Sequence, residues 1–148
     1  MADRSYVAEN DRERRRLEAL VEKLDDAALG RAMPAGWTVA AVLAHLALWD
    51  QRIVLLSEQL KRGASVPQID GGSVEWINDS AKPMQLALPP RRAATLAVEA
   101  ARAADQAVAS LSDELLAKNA AAGSPLNLLR AEHRREHLDE IEHALSGG

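Results

Sequence analysis

Hydrophobic residues recur along this chain at steps of three and four, the spacing that places side chains on one face of an α-helix. Segments with this pattern are separated by glycine, proline and short polar residues. Valine and isoleucine do not alternate with polar residues, so no segment indicates a β-strand. The pattern predicts long helices over residues 2–24 or 5–24, 38–62, 90–111 and 124–145.

Residues that typically begin or end helices mark some of these boundaries. Thr38 is predicted to cap the second helix, since its hydroxyl can accept a hydrogen bond from a first-turn N–H group, and Gly63 is predicted to end it. Ser124 is predicted to cap the last helix, with Pro125 at the first helical position, where no N–H is needed.

The segment between the second and third long helices is less regular. Residues 64–72 contain Pro67 and two glycines, which interrupt any regular element. Ser73 is predicted to cap a short helix that Pro83 ends, and a further turn is expected over residues 112–119. Such a segment is either a plain crossover or the wall of a pocket, and the sequence leaves both open.

Four amphipathic helices with one long crossover favour an all-α fold, a four-helix bundle. A chain of 148 residues is the usual size of one domain, so a single domain over residues 1–148 is expected. Leucine and alanine dominate the composition, there is no phenylalanine, and alanine-lined helices can approach one another closely.

Composition excludes several classes of function. The net charge is −4 with both signs interspersed, so the charged run over residues 11–16 is interpreted as a solvated helix face and no nucleic acid partner is expected. The absence of cysteine excludes disulfides and a cysteine nucleophile. No apolar run suggests a membrane helix and the first residues lack a secretory pattern, so a cytoplasmic location is expected.

The last predicted helix carries two histidines on its apolar stripe. His133 and His137 are four residues apart, a spacing that brings two side chains together on one helix face. The sequence is HRREH rather than the HExxH of metalloproteases, because Arg134 stands where the catalytic glutamate would be. His143 lies off the stripe and is expected on the surface. The predicted stripe consists of Leu126, Leu129, His133, His137, Ile141 and Leu145.

A third histidine, His45, lies on the inner face of the second helix, between Val42 and Trp49. By itself it is most simply a buried neutral histidine with one hydrogen bond. Bundles often build metal sites from facing helices, and three neutral imidazoles leave a fourth metal position open for water or substrate. The joint pattern therefore favours a metal site, with a metal-free structural bundle as the alternative.

Three segments of the chain resemble segments of a known protein family. GWTVAAVLAHLALWDQR is similar to the second-helix motif of the DinB-like metal-binding bundles, and EHRREHLDEIEHAL is similar to their last helix. WINDSAK, with Asn78, falls where many members carry a Trp-x-Asn-like stretch. The superfamily includes the N-terminal domain of mycothiol-dependent maleylpyruvate isomerase and small ClbS/DfsB-type bundles.

The resemblance implies an up-down-down-up bundle with a three-histidine site, here His45, His133 and His137, for a divalent metal such as zinc or nickel. Characterised relatives use mycothiol, bacillithiol or glutathione, or are hydrolases. The resemblance does not extend to the isomerase's additional C-terminal domain, so maleylpyruvate isomerisation is not expected.

The resulting hypothesis is a divalent-metal-dependent enzyme, a low-molecular-weight-thiol S-transferase whose chemistry depends on a thiol or water bound at the metal. Arg52, Trp49 and Asn78 are predicted to contact a small-molecule substrate. Arg52 either receives a carboxylate of the thiol or substrate or is a surface arginine that keeps its charged group in water. Alternatives are a non-catalytic small-molecule-binding or protective bundle and a metal-dependent hydrolase. No membrane partner is expected, and an alanine-rich bundle is compatible with a homodimer.

Overall fold

The computed structural model describes residues 2–147, which form helices joined by loops and contain no β-strand. The all-α prediction is therefore confirmed. A short 3-10 turn, Pro34–Gly36, precedes the third helix. The seven helices are α1 (Ser5–Lys23), α2 (Asp26–Leu29), α3 (Val39–Lys61), α4 (Gly71–Ala87), α5 (Pro90–Ala109), α6 (Asp113–Ala121) and α7 (Ala131–Leu145).

Four helices form a closed ring of contacts. α3 packs most extensively against α5, α5 also contacts α1, α1 contacts α7, and α7 contacts α3. α4 packs against α3. The ring agrees with a bundle of four helices, whereas the up-down-down-up order of their directions stays a prediction.

The core consists of two apolar clusters. One joins α1, α3, α5 and α7 around Leu17, Leu43 and Leu138, and the other lies around Ile53, Val108 and Leu126. α5 contributes mainly alanines, which allows α3 and α5 to approach closely. Its fully buried alanines are Ala93, Ala94, Ala97, Ala101 and Ala104.

The predicted boundaries of the second long helix are confirmed. The Thr38 hydroxyl accepts a hydrogen bond from the N–H of Ala41 at 3.1 Å, as expected for an N-cap. Gly63 follows the end of α3 with a φ of 80°, the left-handed conformation that glycine adopts without a steric penalty. These two residues fix the length of the helix that carries His45, Trp49 and Arg52.

The crossover helix α4 is longer than predicted. Asp70, not Ser73, caps it, because its carboxylate accepts a hydrogen bond from the Ser73 N–H at 2.6 Å. Pro83 lies inside the helix instead of ending it. Proline in a helix interior removes a backbone hydrogen bond, yet α4 continues past Pro83 to Ala87 and packs against α3.

The last helix begins later than predicted, at Ala131. Ser124 has a φ of 56° and lies outside any helix, and Arg130 takes the N-cap position, so the prediction that Ser124 caps the helix is wrong. The side chain of Asn119 forms two hydrogen bonds of 3.0 Å with the backbone of Leu126. Asn10 accepts a hydrogen bond from the Ala131 N–H at 2.9 Å. These two asparagines satisfy backbone groups that a helix over this segment would have paired internally.

Among the described residues, α3 is the one helix long and apolar enough, by length and composition, to cross a membrane. Its composition is therefore closer to that of a membrane helix than the sequence pattern indicated. The window that meets this test is 61% buried inside the protein. Its position in the core accounts for its apolar composition, as in helices buried on most sides.

Candidate metal centre

The three predicted histidines meet at one point. Nε2 of His45, on α3, lies 3.2 Å from Nε2 of His133, on α7. His133 and His137 lie one turn apart, and each ring centroid is 4.8–5.1 Å from the other two. One ligand atom from each residue lies within 4.8 Å of the others. The cluster could therefore hold a metal ion.

The spacing fits a tetrahedral ion. Metal–nitrogen bonds of 2.0–2.1 Å with tetrahedral angles place two nitrogens about 3.3 Å apart. The separation of 3.2 Å between His45 and His133 is close to that value. A set of three imidazole donors leaves one tetrahedral position for another ligand, the arrangement of catalytic rather than structural zinc.

Burial keeps two of these imidazoles uncharged. Desolvation, followed by the neighbouring His137, lowers the pKa of His45 from 6.5 to about 4. Desolvation, the other two histidines and the guanidinium groups of Arg130 and Arg134 lower the pKa of His133 to about 3. Metals bind the neutral form of histidine, so both rings are in the binding form at pH 7.

Two ring nitrogens at the cluster are buried without a hydrogen bond. Nδ1 of His45 and Nδ1 of His137 have no hydrogen-bond partner among residues 2–147. Glu140 Oε2 lies 3.5 Å from Nδ1 of His137, too far for a well-formed hydrogen bond. Burying unpaired polar atoms costs free energy. A metal bound through Nδ1 of His137 would offset this cost for that atom, whereas His45, whose Nε2 faces His133, would keep its Nδ1 unpaired.

The cluster lies in the wall of a cavity of about 700 Å³. Trp37, Val42, Trp49, Ile53, Ile69 and Val74 form its apolar lining. The charged residues at the cavity are Arg52, Arg130, Glu132, Glu136 and Glu140. This volume and mixture of surfaces suit a small organic molecule.

The predicted substrate contacts also lie in this cavity. Trp49 Nε1 donates a hydrogen bond to Asn78 Oδ1 at 2.8 Å, which joins α3 to α4. The guanidinium carbon of Arg52 lies 5.7 Å from the Trp49 ring centroid, in cation–π contact. The structure thus brings Arg52, Trp49 and Asn78 to the cavity that contains the histidines. Their role in substrate binding stays a prediction.

A second contact holds α4 beside the cluster. Lys82 of α4 donates a hydrogen bond to the carbonyl of Ala35, and its Nζ lies 4.9 Å from the ring centroid of Trp37. The Trp37 ring meets the His45 ring edge to face, with centroids 5.8 Å apart. α4 is therefore part of the cavity wall, one of the two interpretations that the sequence left open.

The buried face of α7 differs from the predicted stripe. Its buried residues are Ala131, Arg134, Leu138 and Ile141, and the two histidines lie beside them, only partly buried. A helix packed in a ring buries a broad face, so residues next to the apolar positions can reach a cavity. His143 is exposed, as predicted.

Arg134 is completely buried in a network of ion pairs. Its guanidinium donates to Asp50 Oδ2 on α3, at 3.2 and 3.3 Å, and to Asp105 Oδ2 on α5, at 2.9 Å. Arg14 of α1 donates to the same oxygen of Asp105 at 2.8 Å. Arg130 donates from Nε to Asp50 Oδ1 at 2.9 Å. The network lies between the helices that carry the three histidines.

A family model described as the DinB superfamily matches residues 9–141. The chain belongs to the DinB superfamily. No curated protein and no solved structure matches it. The matched range contains His45, His133 and His137, so the metal-compatible cluster of this DinB-superfamily chain lies within the region that defines the family.

Sequence reasoning missed the network because it treated Arg134 only as a departure from HExxH. Two signals were present in this DinB-superfamily sequence. Asp50 interrupts the apolar helix that contains His45, and Arg130 and Arg134 are four residues apart on the last helix. Charged residues in otherwise apolar segments are rarely buried unless they are paired.

The metal-free protein is expected to lose stability as the pH falls from 6.5 towards 4. In this range the unfolded chain protonates histidines near a pKa of 6.5, whereas His45 and His133 in the folded chain stay neutral to about pH 4 and 3. Protons therefore favour the unfolded state, by up to about 1.4 kcal/mol per pH unit for each ring. Urea unfolding in the presence of a chelator, at pH 7, 6 and 5, measures this slope.

Two variants test whether the buried histidines cause this dependence of the free energy of unfolding on pH. His45→Gln should show a shallower dependence on pH, because one of the two perturbed rings is gone. His143→Gln, on the exposed side of α7, should match the wild type. An unchanged slope in His45→Gln would contradict the explanation.

Proposed function

We propose that this DinB-superfamily protein is a divalent-metal-dependent enzyme that transfers a low-molecular-weight thiol to an electrophilic small molecule. The observation that carries the proposal is the meeting of His45, His133 and His137 in the wall of a cavity large enough for a small molecule. The chain has no cysteine, so a thiol used at this site would come from outside.

His45, His133 and His137 would hold the metal, and their neutral donors leave its positive charge uncompensated. A divalent metal supplies the charge that lowers the pKa of a thiol at its open position. In the transfer, the thiol sulfur forms a bond to an electrophilic carbon of the second substrate. The leaving group of that carbon departs with the bonding electron pair, and the thiol proton passes to solvent.

The cavity residues would position the two substrates. The Trp49 ring, held by Asn78, offers an apolar face, and Arg52 lies next to that face. Apolar walls exclude water from a reacting sulfur, and exclusion of water strengthens electrostatic interactions in the site. Arg52 is assigned to a carboxylate of the thiol or of its acceptor.

Zinc and nickel are the metals proposed, because imidazole donors suit both. The thiols proposed are mycothiol, bacillithiol or glutathione, as the family resemblance implies. We also propose a single up-down-down-up domain over residues 1–148 that acts in the cytoplasm, alone or as a homodimer. The net charge of −4 and the burial of α3 support a protein whose partners are small molecules rather than nucleic acid or membrane.

A non-catalytic bundle that binds and protects a small molecule is the second candidate. The aromatic and apolar lining of the cavity favours it, since such surfaces bind ligands without chemistry. A metal-dependent hydrolase would use the same histidines, with water in place of the thiol. The three functions share one site and differ in what enters the cavity.

Metal analysis followed by an activity panel tests the proposal. Protein purified without a histidine tag is expected to contain about one equivalent of divalent metal. Each of the three thiols is then incubated with 1-chloro-2,4-dinitrobenzene, and the thioether is detected by mass spectrometry. Metal-loaded protein that forms no thioether but binds the panel molecules would support the binding bundle, and ester cleavage without thioether would support the hydrolase.

A further inference from the structure

Arg130 is a buried cation with free hydrogen-bond donors at the cavity. It is 4% exposed and lines the cavity that contains the histidines. Its Nε donates to Asp50, but its two Nη atoms have no hydrogen-bond partner among residues 2–147. The Nη atoms are not among the fully buried polar atoms without a hydrogen bond, so both are accessible to solvent. Arg130 lines the cavity, which is the route that this access would take.

Asp50 fixes the direction of the Arg130 side chain. It is 1% exposed, and its second oxygen accepts hydrogen bonds from Arg134, so it is anchored on both sides. An arginine held at Nε presents the other edge of its guanidinium, the Nη1–Nη2 fork. This fork matches the two oxygens of a carboxylate. The fork is therefore held in place before any ligand arrives.

Arg52 adds a second positive charge to the cavity that Arg130 lines. No carboxylate among the described residues lies within 4.0 Å of the Arg52 guanidinium, which also lines the cavity. Burial lowers the pKa of Arg52, and the positive charge of Arg130 lowers it further. Arg130 shares its partner Asp50 with Arg134, and Arg52 has no carboxylate partner among the described residues, so an anion between Arg130 and Arg52 would offset their mutual repulsion.

We propose that Arg130 and Arg52 form an anion subsite next to the histidine cluster, and that it binds a carboxylate of the small molecule that enters the cavity. Glu132, Glu136 and Glu140 also line the cavity, but they are exposed side chains of α7 and form no ion pair with either arginine among the described residues. The subsite rests on the proposed function only in placing the substrate in this cavity. It does not depend on thiol chemistry.

Binding of malonate, a small dicarboxylate, tests the subsite directly. Calorimetric titration of the purified full-length protein is expected to show saturable binding of malonate and none of malonamide, its uncharged analogue. Arg130→Gln should weaken malonate binding about 10- to 100-fold, the range for hydrogen bonds to charged groups. Arg52→Gln should weaken it about three- to fivefold, because this side chain is more exposed.

Arg12→Gln is the matched control, because Arg12 is an exposed arginine of α1 that forms no ion pair among the described residues. It should bind malonate as the wild type does. Arg52→Gln keeps the test valid if Arg130→Gln does not fold, since Arg52 takes part in no buried ion pair. No saturable binding, or equal binding by the wild type and Arg52→Gln, would overturn the subsite.

Two further measurements separate the alternatives. Tighter binding of inorganic phosphate than of malonate would overturn the assignment to a carboxylate. Metal content, measured on the same samples, separates this proposal from the proposed function. Malonate binding by protein that contains no metal would support the subsite and contradict the metal-dependent enzyme. Protein that contains metal but does not bind malonate would contradict the subsite and support the metal-dependent enzyme.

Discussion

Arg134→Met is expected to lower the free energy of unfolding by about 3–5 kcal/mol, the usual cost of removing one partner from a buried ion pair. The guanidinium bonds to Asp50 of α3, to Asp105 and the carbonyl of Ala101 of α5, and to the carbonyl of Asn10 of α1. One side chain of α7 thus contacts the other three helices of the ring. Methionine has similar length but can satisfy none of these groups. Urea unfolding monitored by circular dichroism measures the change.

Arg135→Met provides the matched control, because Arg135 is the next residue on α7 and its side chain is 41% exposed. Exposed ion pairs contribute about 0–1 kcal/mol, so this variant should differ little from the wild type. The double variant Asp50→Asn with Arg134→Met should cost less than the sum of the single changes, because both remove the same interaction. A loss in Arg134→Met no larger than that in Arg135→Met would contradict the stabilising role of the network.

His133→Gln is expected to reduce metal affinity by more than about 100-fold, because even a residue that only supports a metal ligand contributes 10- to 100-fold. Metal content should fall from about one equivalent to a trace, and thiol transfer should be lost with it. Excess zinc should stabilise the wild type by about 4 kcal/mol at 1,000 times the dissociation constant, and it should not stabilise the variant. Elemental analysis and thermal unfolding with and without zinc measure both effects.

His143→Gln separates loss of a metal ligand from loss of any histidine on the last helix. His143 is exposed and lies outside the cluster, so this variant should keep its metal and its response to zinc. Wild-type metal content in His133→Gln would show that the three rings do not act as one ligand set. Metal loss in both variants would show that the effect comes from α7 as a whole.

Much of the fold could be predicted because its causes are local. The hydrophobic period of α3 and the capping hydroxyl of Thr38 depend on residues within a few positions of one another. The two histidines of α7 share a face because residues four apart always do so on a helix. The start of α7 could not be predicted, because Asn119 and Asn10 replace the helical hydrogen bonds there from distant positions.

The candidate site, like the fold, could be predicted only in part. Sequence reasoning identified His45, His133 and His137, and the structure brings them together. It selected Arg52 as the anion contact and missed Arg130, whose free fork depends on its bond to Asp50 of another helix. The i, i+4 spacing of Arg130 and Arg134 indicates only that they are neighbours on a helix. Their burial depends on the carboxylates of Asp50 in α3 and Asp105 in α5.

Residue types and local spacing sufficed to predict that this chain is helical, that it lacks an internal thiol, and that His133 and His137 share one face of the last helix. These properties depend on residue type and on the 3.6-residue period of the backbone. Tertiary packing was needed to show that α7 buries Arg134 and leaves His133 and His137 partly exposed, that α4 continues through Pro83, and that Arg130 lines the cavity. A buried charge is stable only with partners, and here those partners lie on other helices, far away in the sequence.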